Sequence, residues 1–324
     1  MKYIITLMLC CSLMAQQTNT TQDTLTINTV ALSSVTVSAL RANEDTPMAF
    51  TNISQEQLNK QNLGKDLPVL LRFLPSVVTT SDAGAGVGYT GIRVRGSDAT
   101  RVNVTINGIA YNDAESHGTF WVNLSDFASS VSDLQLQRGA GTSTNGAAAF
   151  GASINISTNE PSEDAFALLS SSTGSFNTFK NTLKFSTGRF KSGFELSGRL
   201  SGITSDGYID RASSNLKGYF LQGTYSSVNT KIKALTFGGH ERTYQAWYGI
   251  DQNVLKTNRT YNPAGEQYEE AGVLEGYYND QVDNYNQDHT QLHIEQHLSN
   301  SSRLSLGLNY THGYGYYQEF YDLW

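Results

Sequence analysis

Beyond residue 164 the chain repeats one pattern: large apolar and polar side chains alternate, run after run. Phe179, Leu183 and Phe185 are interleaved with Lys180, Lys184 and Ser186; Phe194, Leu196 and Leu200 with Glu195, Ser197, Arg199 and Ser201; Tyr219, Leu221 and Tyr225 with Gln222, Thr224 and Ser226. Leu292, Ile294 and Leu298 oppose Gln291, His293, Glu295 and His297, and Leu304, Leu306, Leu308 and Tyr310 oppose Ser305, Asn309 and Thr311. In an extended chain residues two apart share a face, so each run is a strand with one apolar and one polar side. A soluble sandwich would alternate in the same way; the connections separate the two cases. In order they are GSFNT, a short turn near RFKSG, SDGYIDRASSN, a short turn SSVNT, a long stretch over 242–286 and a short turn SNSS. Every second connection is tight and the others tend to be long, GSFNT being the exception. Outer-membrane barrels segregate their turns in this way, short on the periplasmic side and longer outside. Seven strands are legible. A bacterial barrel closes with an even, larger number, so the expectation is the first part of a longer barrel or a truncated gene product.

Composition agrees with strands and turns: Gly (29) and Tyr (18) are abundant and Pro (5) is scarce. A net charge of −7 argues against nucleic acid as a partner. The start, MKYIITLMLCCSLMAQQ, reads as a secretory signal over 1–15, with Lys2 as its basic region, an apolar core over 3–14 and cleavage at Ala15, although Leu13 stands where a small residue is usual. It is too short for a membrane-spanning helix. The chain's two cysteines, Cys10 and Cys11, lie inside it, so the mature chain has no disulfide, no thiol catalyst and no cysteine-held metal.

Residues 16–44 form a polar Ser/Thr/Asn-rich tether. Within it LSSVTVSA (32–39) is a β-prone island that is suited to adding a strand to another protein's sheet, or to a sheet of its own domain. Over 54–74 the leucines Leu63, Leu67, Leu70, Leu71 and Leu74 recur at helical spacing, Ser54 with Gln57 makes a weak capping box, and Pro75 ends the pattern. SDAGAGVGY (81–89) lacks the context of a phosphate loop and reads as a flexible loop. Short strand-like pieces follow: GIRVRG, RVNVTINGIAY, VSDLQLQRG and a small-residue stretch ending in SINIST. Residues 45–160 are thus a compact α+β unit ahead of the strands over 161–324.

This order of parts resembles the TonB-dependent outer-membrane receptors. GIRVRG is similar to the family's R-G plug motif, NGIAYND to its strand-turn, LQLQRGAGTSTNGAAAFGASINIST to its long glycine-rich signature, Glu160-Pro161 to the plug-to-barrel junction and LSSVTVSA to the TonB box. Each motif is weak alone; together, in this order, they are specific and cover nearly all of the mature chain. The resemblance implies an α+β plug domain followed by antiparallel transmembrane β-barrel strands, an incomplete 22-stranded barrel. It implies a cell outer-membrane importer and not an enzyme, without a cofactor. Its partners would be TonB with its ExbB-ExbD energising complex, outer-membrane lipid and an external scarce ligand, a ferric siderophore or other iron chelate being the commonest cargo. TonB would engage Ser34, Val35, Thr36, Val37 and Ser38, and Arg93, Arg95, Gly96, Arg138 and Gly139 would be structural residues of the plug. Three departures stand out: Gln135 where Glu is usual, Asn145 where Tyr is usual and Ala152 where Gly is usual. The first replaces a charged pairing in the plug by a neutral hydrogen bond.

YNDAESHGTFW (111–121) carries Asp113, Glu115 and His117 on one face if extended, which raises the question of a metal or acid/base site. No second His or Cys cluster lies near it, and by the resemblance it is an apical plug loop. Its His117, Phe120 and Trp121, with Tyr89 of the neighbouring loop, are candidate ligand contacts; the alternative is that Phe120, Trp121 and Phe127 are core. In the long outer loop Arg242, Tyr244, Trp247 and Tyr248 are candidate contacts too, against the alternative of an aromatic girdle. Cobalamin, haem or oligosaccharide cargoes, a passive porin-like or secreted β-rich binding protein, and a hydrolase built on Asp113, Glu115 and His117 are the competing readings.

Overall fold

The computed structural model describes residues 40–141, 145–146, 148–299 and 301–321. The signal and the 32–39 island lie outside the described residues. The first strand, β1 (Ala49–Ser54), leads into a helix at Gln55–Gln61, and the expected capping box is present: Ser54 accepts from the Gln57 N–H while Gln57 caps the Ser54 N–H. The leucine pattern does not continue as one helix. Gly64 at φ +115° breaks it, and a second short helix spans Leu67–Leu70 with Pro68 in its first turn. Leu63 falls in the break and is exposed.

Two hairpin strands, β2 (Val77–Ser81) and β3 (Thr90–Val94), pair antiparallel. After them come β4 (Val102–Ile106), β5 (Ile109–Ala110), β6 (Val131–Arg138) and β7 (Ala152–Thr158). The sheet order is β1-β6-β7-β4-β5, with β4 and β7 parallel and the other pairs antiparallel. The turn between β4 and β5 is Asn107-Gly108, both at positive φ, as a two-residue hairpin requires. Register splits this sheet into two unlike faces. Val102, Val104, Ile106, Leu134, Leu136, Ile154 and Ile156 pack with Trp121, Leu124 and Phe127 in one core. The other face carries Gln135, Gln137, Asn155, Ser153 and Thr105, all buried.

The remaining long strands, β8 (Ala165–Gly174), β9 (Thr178–Thr187), β10 (Phe194–Ser205), β11 (Ser214–Ser226), β12 (Thr230–Tyr244), β15 (Val282–His297) and β16 (Arg303–Gln318), form one antiparallel sheet in order β16-β15-β12-β11-β10-β9-β8. The seven strands expected are the seven found. β12 and β15 run further than the sequence indicated, which shortens the long connection to 245–281; it holds a helix at Gln252–Thr257 and the hairpin β13 (Glu266–Tyr268) and β14 (Leu274–Tyr277).

Burial in this sheet is the reverse of a soluble protein's. Phe179, Leu183, Phe194, Leu200 and Leu221 are exposed, whereas Lys180, Thr182, Glu195, Arg199, Gln222, Thr224, Lys233 and Gln291 are buried. Water would penalise so regular an apolar face; hydrocarbon would not. The polar face instead meets the plug. Where inward positions are apolar, they complete the plug core: Phe220, Leu235 and Phe237 join Phe127, and Ile203 and Leu216 join Val87 and Val122. Among the described residues no helix is long and apolar enough to cross a membrane.

Candidate functional site

The plug is keyed to the strand wall by one buried carboxylate. Asp126 sits at φ +51° between two 3-10 turns, Trp121–Leu124 and Phe127–Ser130. Its Oδ1 meets Lys180 Nζ at 2.6 Å and accepts from Ser129 (2.6 Å) and Asn62 (3.1 Å); its Oδ2 accepts from Thr182 (2.6 Å). Arg199 donates to the carbonyls of Asp126 and Ser125. Burial acts to raise the Asp126 carboxyl, but Arg199 and Lys180 with these hydrogen bonds outweigh it and hold the group below the usual carboxylate range. None of this was singled out in the sequence, although Lys180 and Arg199 are charges at positions that alternation puts on the inner face.

At the end of the wall with the longer connections, the glycine-rich loop of the plug touches the strands. It is packed rather than flexible: Val87 is buried, the Ala83 carbonyl accepts from Tyr208 and Ile209, and a Cβ on Gly88 would lie 2.7 Å from Ser214 Oγ. That contact is the reason for a glycine there, and φ +90° adds to it. Tyr89 leaves this loop and donates to Asp283 on β15. Its ring meets Trp247 edge-on at 5.3 Å, so two candidates from distant segments are brought together. Burial, with the Glu241 and Asp283 carboxylates beside it, pushes the Tyr89 phenol well above its usual range. Asp66 is buried, which pushes its carboxyl up against the hydrogen bonds it accepts from Thr90 and the Gly88 backbone.

The 111–121 segment is a tight turn, not an extended run, so Asp113, Glu115 and His117 do not share a face. Asp113 N–H donates to the Gly118 carbonyl and His117 N–H to the Asp113 carbonyl. The Asp113 carboxylate is used by the turn itself, accepting from the Ser116 and Glu115 N–H groups, which lower its pKa. Asn112 closes the turn by donating to the carbonyls of His117 and Val102. Among the described residues no group of three or more His, Cys, Asp or Glu could hold a metal. His117 and Phe120 are exposed. Trp121 is a correction: at 1% exposure it lies in the plug core with Phe127, because the 3-10 turn that follows Phe120 rotates it inward.

In the outer loop the candidates divide. Trp247 and Tyr248 are exposed, and Trp247 faces the plug through Tyr89 rather than lipid. Arg242 is paired with Asp280 at 2.8 Å. Tyr244 is a second correction: it is buried, and its hydroxyl donates to the carbonyls of Ala264 and Tyr278, which holds the loop rather than a ligand. Of the plug residues, Arg138 donates to the Pro75 carbonyl and to Thr51, Arg95 and Gly96 form a turn at positive φ, and Gly139 (φ +106°) leaves room for Arg95, whose Nη1 would be 2.9 Å from a Cβ. Arg93 lies exposed on β3.

At the opposite end the chain enters the plug across its polar face. Gln135 accepts from the Ala42 N–H (2.8 Å) and donates to the Ala42 carbonyl (2.9 Å), while Gln137 donates to the Leu40 carbonyl (2.7 Å). Arg41 pairs with Asp133 and donates to Ser157. The neutral bond expected of Gln135 is therefore made to the backbone of the entering segment. The residues named for TonB, Ser34, Val35, Thr36, Val37 and Ser38, lie outside the described residues.

The fold is thus a strand wall with its apolar side out and a small α+β domain on its polar side. Residues 42–153 match the family model described as TonB-dependent Receptor Plug Domain. No curated protein matches the chain in sequence. Among solved structures of similar fold, the siderophore receptor PiuA from Acinetobacter baumannii is 16% identical (TM-score 0.60), with 82% of this chain and 36% of that one covered. The ferric citrate transporter FecA in its unliganded form is 16% identical (TM-score 0.63; 85% and 41% covered). The ferric-catecholate import receptor Fiu from E. coli K12 in its closed form is 17% identical (TM-score 0.64; 87% and 39% covered). The chain spans well under half the length of these structures.

Proposed function

We propose that this chain is the plug and adjoining wall of an outer-membrane importer that binds an iron chelate outside and passes it to the periplasm, driven by TonB and its ExbB-ExbD complex. The observation that carries the reading is the seating of a TonB-dependent receptor plug domain on the polar face of a wall whose other face is apolar. A passive pore has no use for a plug keyed in place through Asp126, Lys180 and Arg199. The chain's entry onto the plug at Leu40, through hydrogen bonds to its backbone, supports a pull on the tether as the means of moving the plug. The similar structures named for iron complexes support iron as the cargo. Tyr89, His117, Phe120, Trp247 and Tyr248 are the ligand contacts this reading retains. The test is deletion of 32–39. Uptake of the iron chelate should cease while binding at the cell surface persists; uptake that survives the deletion refutes the reading.

A further inference from the structure

At the seam of plug and wall, where the chain passes from one to the other at Asn159 and Glu160, lies a cavity of about 330 Å³. One water needs roughly 10–15 Å³ of such space, so there is room for a small polyatomic ion with water around it. Its lining is largely polar and includes five serines. Four of their hydroxyls are in use. Ser132 donates to the carbonyls of Ser157 and Thr158, Ser162 to that of Asp164, and Ser186 and Ser197 to the Glu195 carboxylate. The fifth, Ser130 Oγ, is fully buried and has no hydrogen-bond partner among the described residues. A buried donor left without a partner marks the place of a water or an ion.

Two cations line the same space. In the β9–β10 register Lys184 stands directly opposite Arg199, both at inward positions of the alternation. Like charges directly opposite one another destabilise a sheet. Arg199, 2% exposed, gives its Nη atoms to the Asp126 and Ser125 carbonyls, and its Nε has no partner among the described residues. Lys184 Nζ makes no ion pair or hydrogen bond among them. The Asp126 carboxylate is taken by Lys180, Ser129, Asn62 and Thr182. Of the carboxylates that line the cavity, Glu160 pairs with Lys231 at 2.9 Å, and Glu195 accepts from Ser186, Ser197 and Thr224. Three donors are thus left over at one cavity: Lys184 Nζ, the Arg199 Nε–H and the Ser130 Oγ–H. Water supplies hydrogen bonds to them but leaves two positive charges face to face. An oxyanion answers both needs, because a carboxylate or phosphate takes several charge-assisted bonds at once.

We propose that this cavity is a site for a small free oxyanion, of inorganic phosphate or acetate size, which takes Lys184, Arg199 and Ser130 as its donors. Bound there, it ties β9 and β10 to the plug turn Phe127–Ser130 and adds to the seating of the plug. The site stands on the cavity and its donors, whatever cargo the importer carries. The test uses the detergent-purified protein, dialysed against radiolabelled inorganic phosphate or acetate in chloride buffers of constant ionic strength, with seating of the plug read by native-state proteolysis. One saturable site should appear for at least one of the two ions. Cleavage should fall in step with its occupancy, about 10-fold when the ion stands at ten times its Kd, since only the seated state binds it. Lys184→Met should abolish the site and Ser130→Ala should weaken it severalfold, whereas Lys191→Met, at an exposed position of the neighbouring turn, should keep it. The absence of saturable binding over chloride overturns the proposal. So does binding that both K184M and S130A leave intact, and so does binding that leaves cleavage unchanged.

Discussion

Replacing Asp126 by Ala tests what seats the plug. The substitution leaves Lys180 and Arg199 buried and facing a site without a carboxylate, and strips Ser129, Thr182 and Asn62 of their acceptor. Breaking one side of a buried ion pair costs about 3–5 kcal/mol, because the remaining charge stays out of water. At about 1.4 kcal/mol per factor of ten, the population with the plug unseated should rise on the order of 10²- to 10³-fold. Native-state proteolysis of the purified protein in detergent reads this, since cleavage tracks the open population when opening is fast. The double variant D126N/K180M removes the Asp126 and Lys180 charges together and leaves only Arg199, which keeps its bonds to the Asp126 and Ser125 carbonyls, so it should recover part of the loss. Lowering the pH supplies an independent check. The folded carboxyl is held below its ordinary range, so its stabilisation is complete above the ordinary carboxylate pKa and is lost as pH falls through the depressed value. Protection of the plug in wild type should therefore weaken in strong acid, with a smaller change in D126N. A less than threefold rise in cleavage for D126A, or a double variant no better than D126A, refutes the reasoning.

Other perturbations separate core from contact. Trp121→Ala should destabilise the plug by about 3–5 kcal/mol through the cavity it leaves, read as a lowered unfolding midpoint, whereas Phe120→Ala should leave stability nearly unchanged and weaken cargo binding. Gly88→Ala should loosen the plug from the wall, because its methyl would lie 2.7 Å from Ser214 Oγ at a φ of +90°; proteolysis near residue 88 measures it. Asp113→Ala should cost about 1 kcal/mol by unlatching its turn, with no hydrolytic activity lost, since the carboxylate serves the backbone.

The strand wall was legible because the alternation and the connection lengths are local properties of the sequence, and the polar strands of the plug were legible for the same reason. The helical segment was misjudged as one piece: leucine spacing says nothing of a glycine at φ +115°. The candidate contacts were chosen by residue type, which cannot tell Phe120 from Trp121, one residue further along and rotated into the core. The pairing of Tyr89 with Trp247 and Asp283 joins positions far apart in the chain, and only the plug's seating against the wall creates it. The same is true of Asp126 with Lys180 and Arg199. Period and composition determine which side of a strand is apolar, because every residue of one parity shares that side. Which charges neutralise one another, and which are left facing the outside, depends on where two separately formed units come into register, and only the tertiary structure decided that.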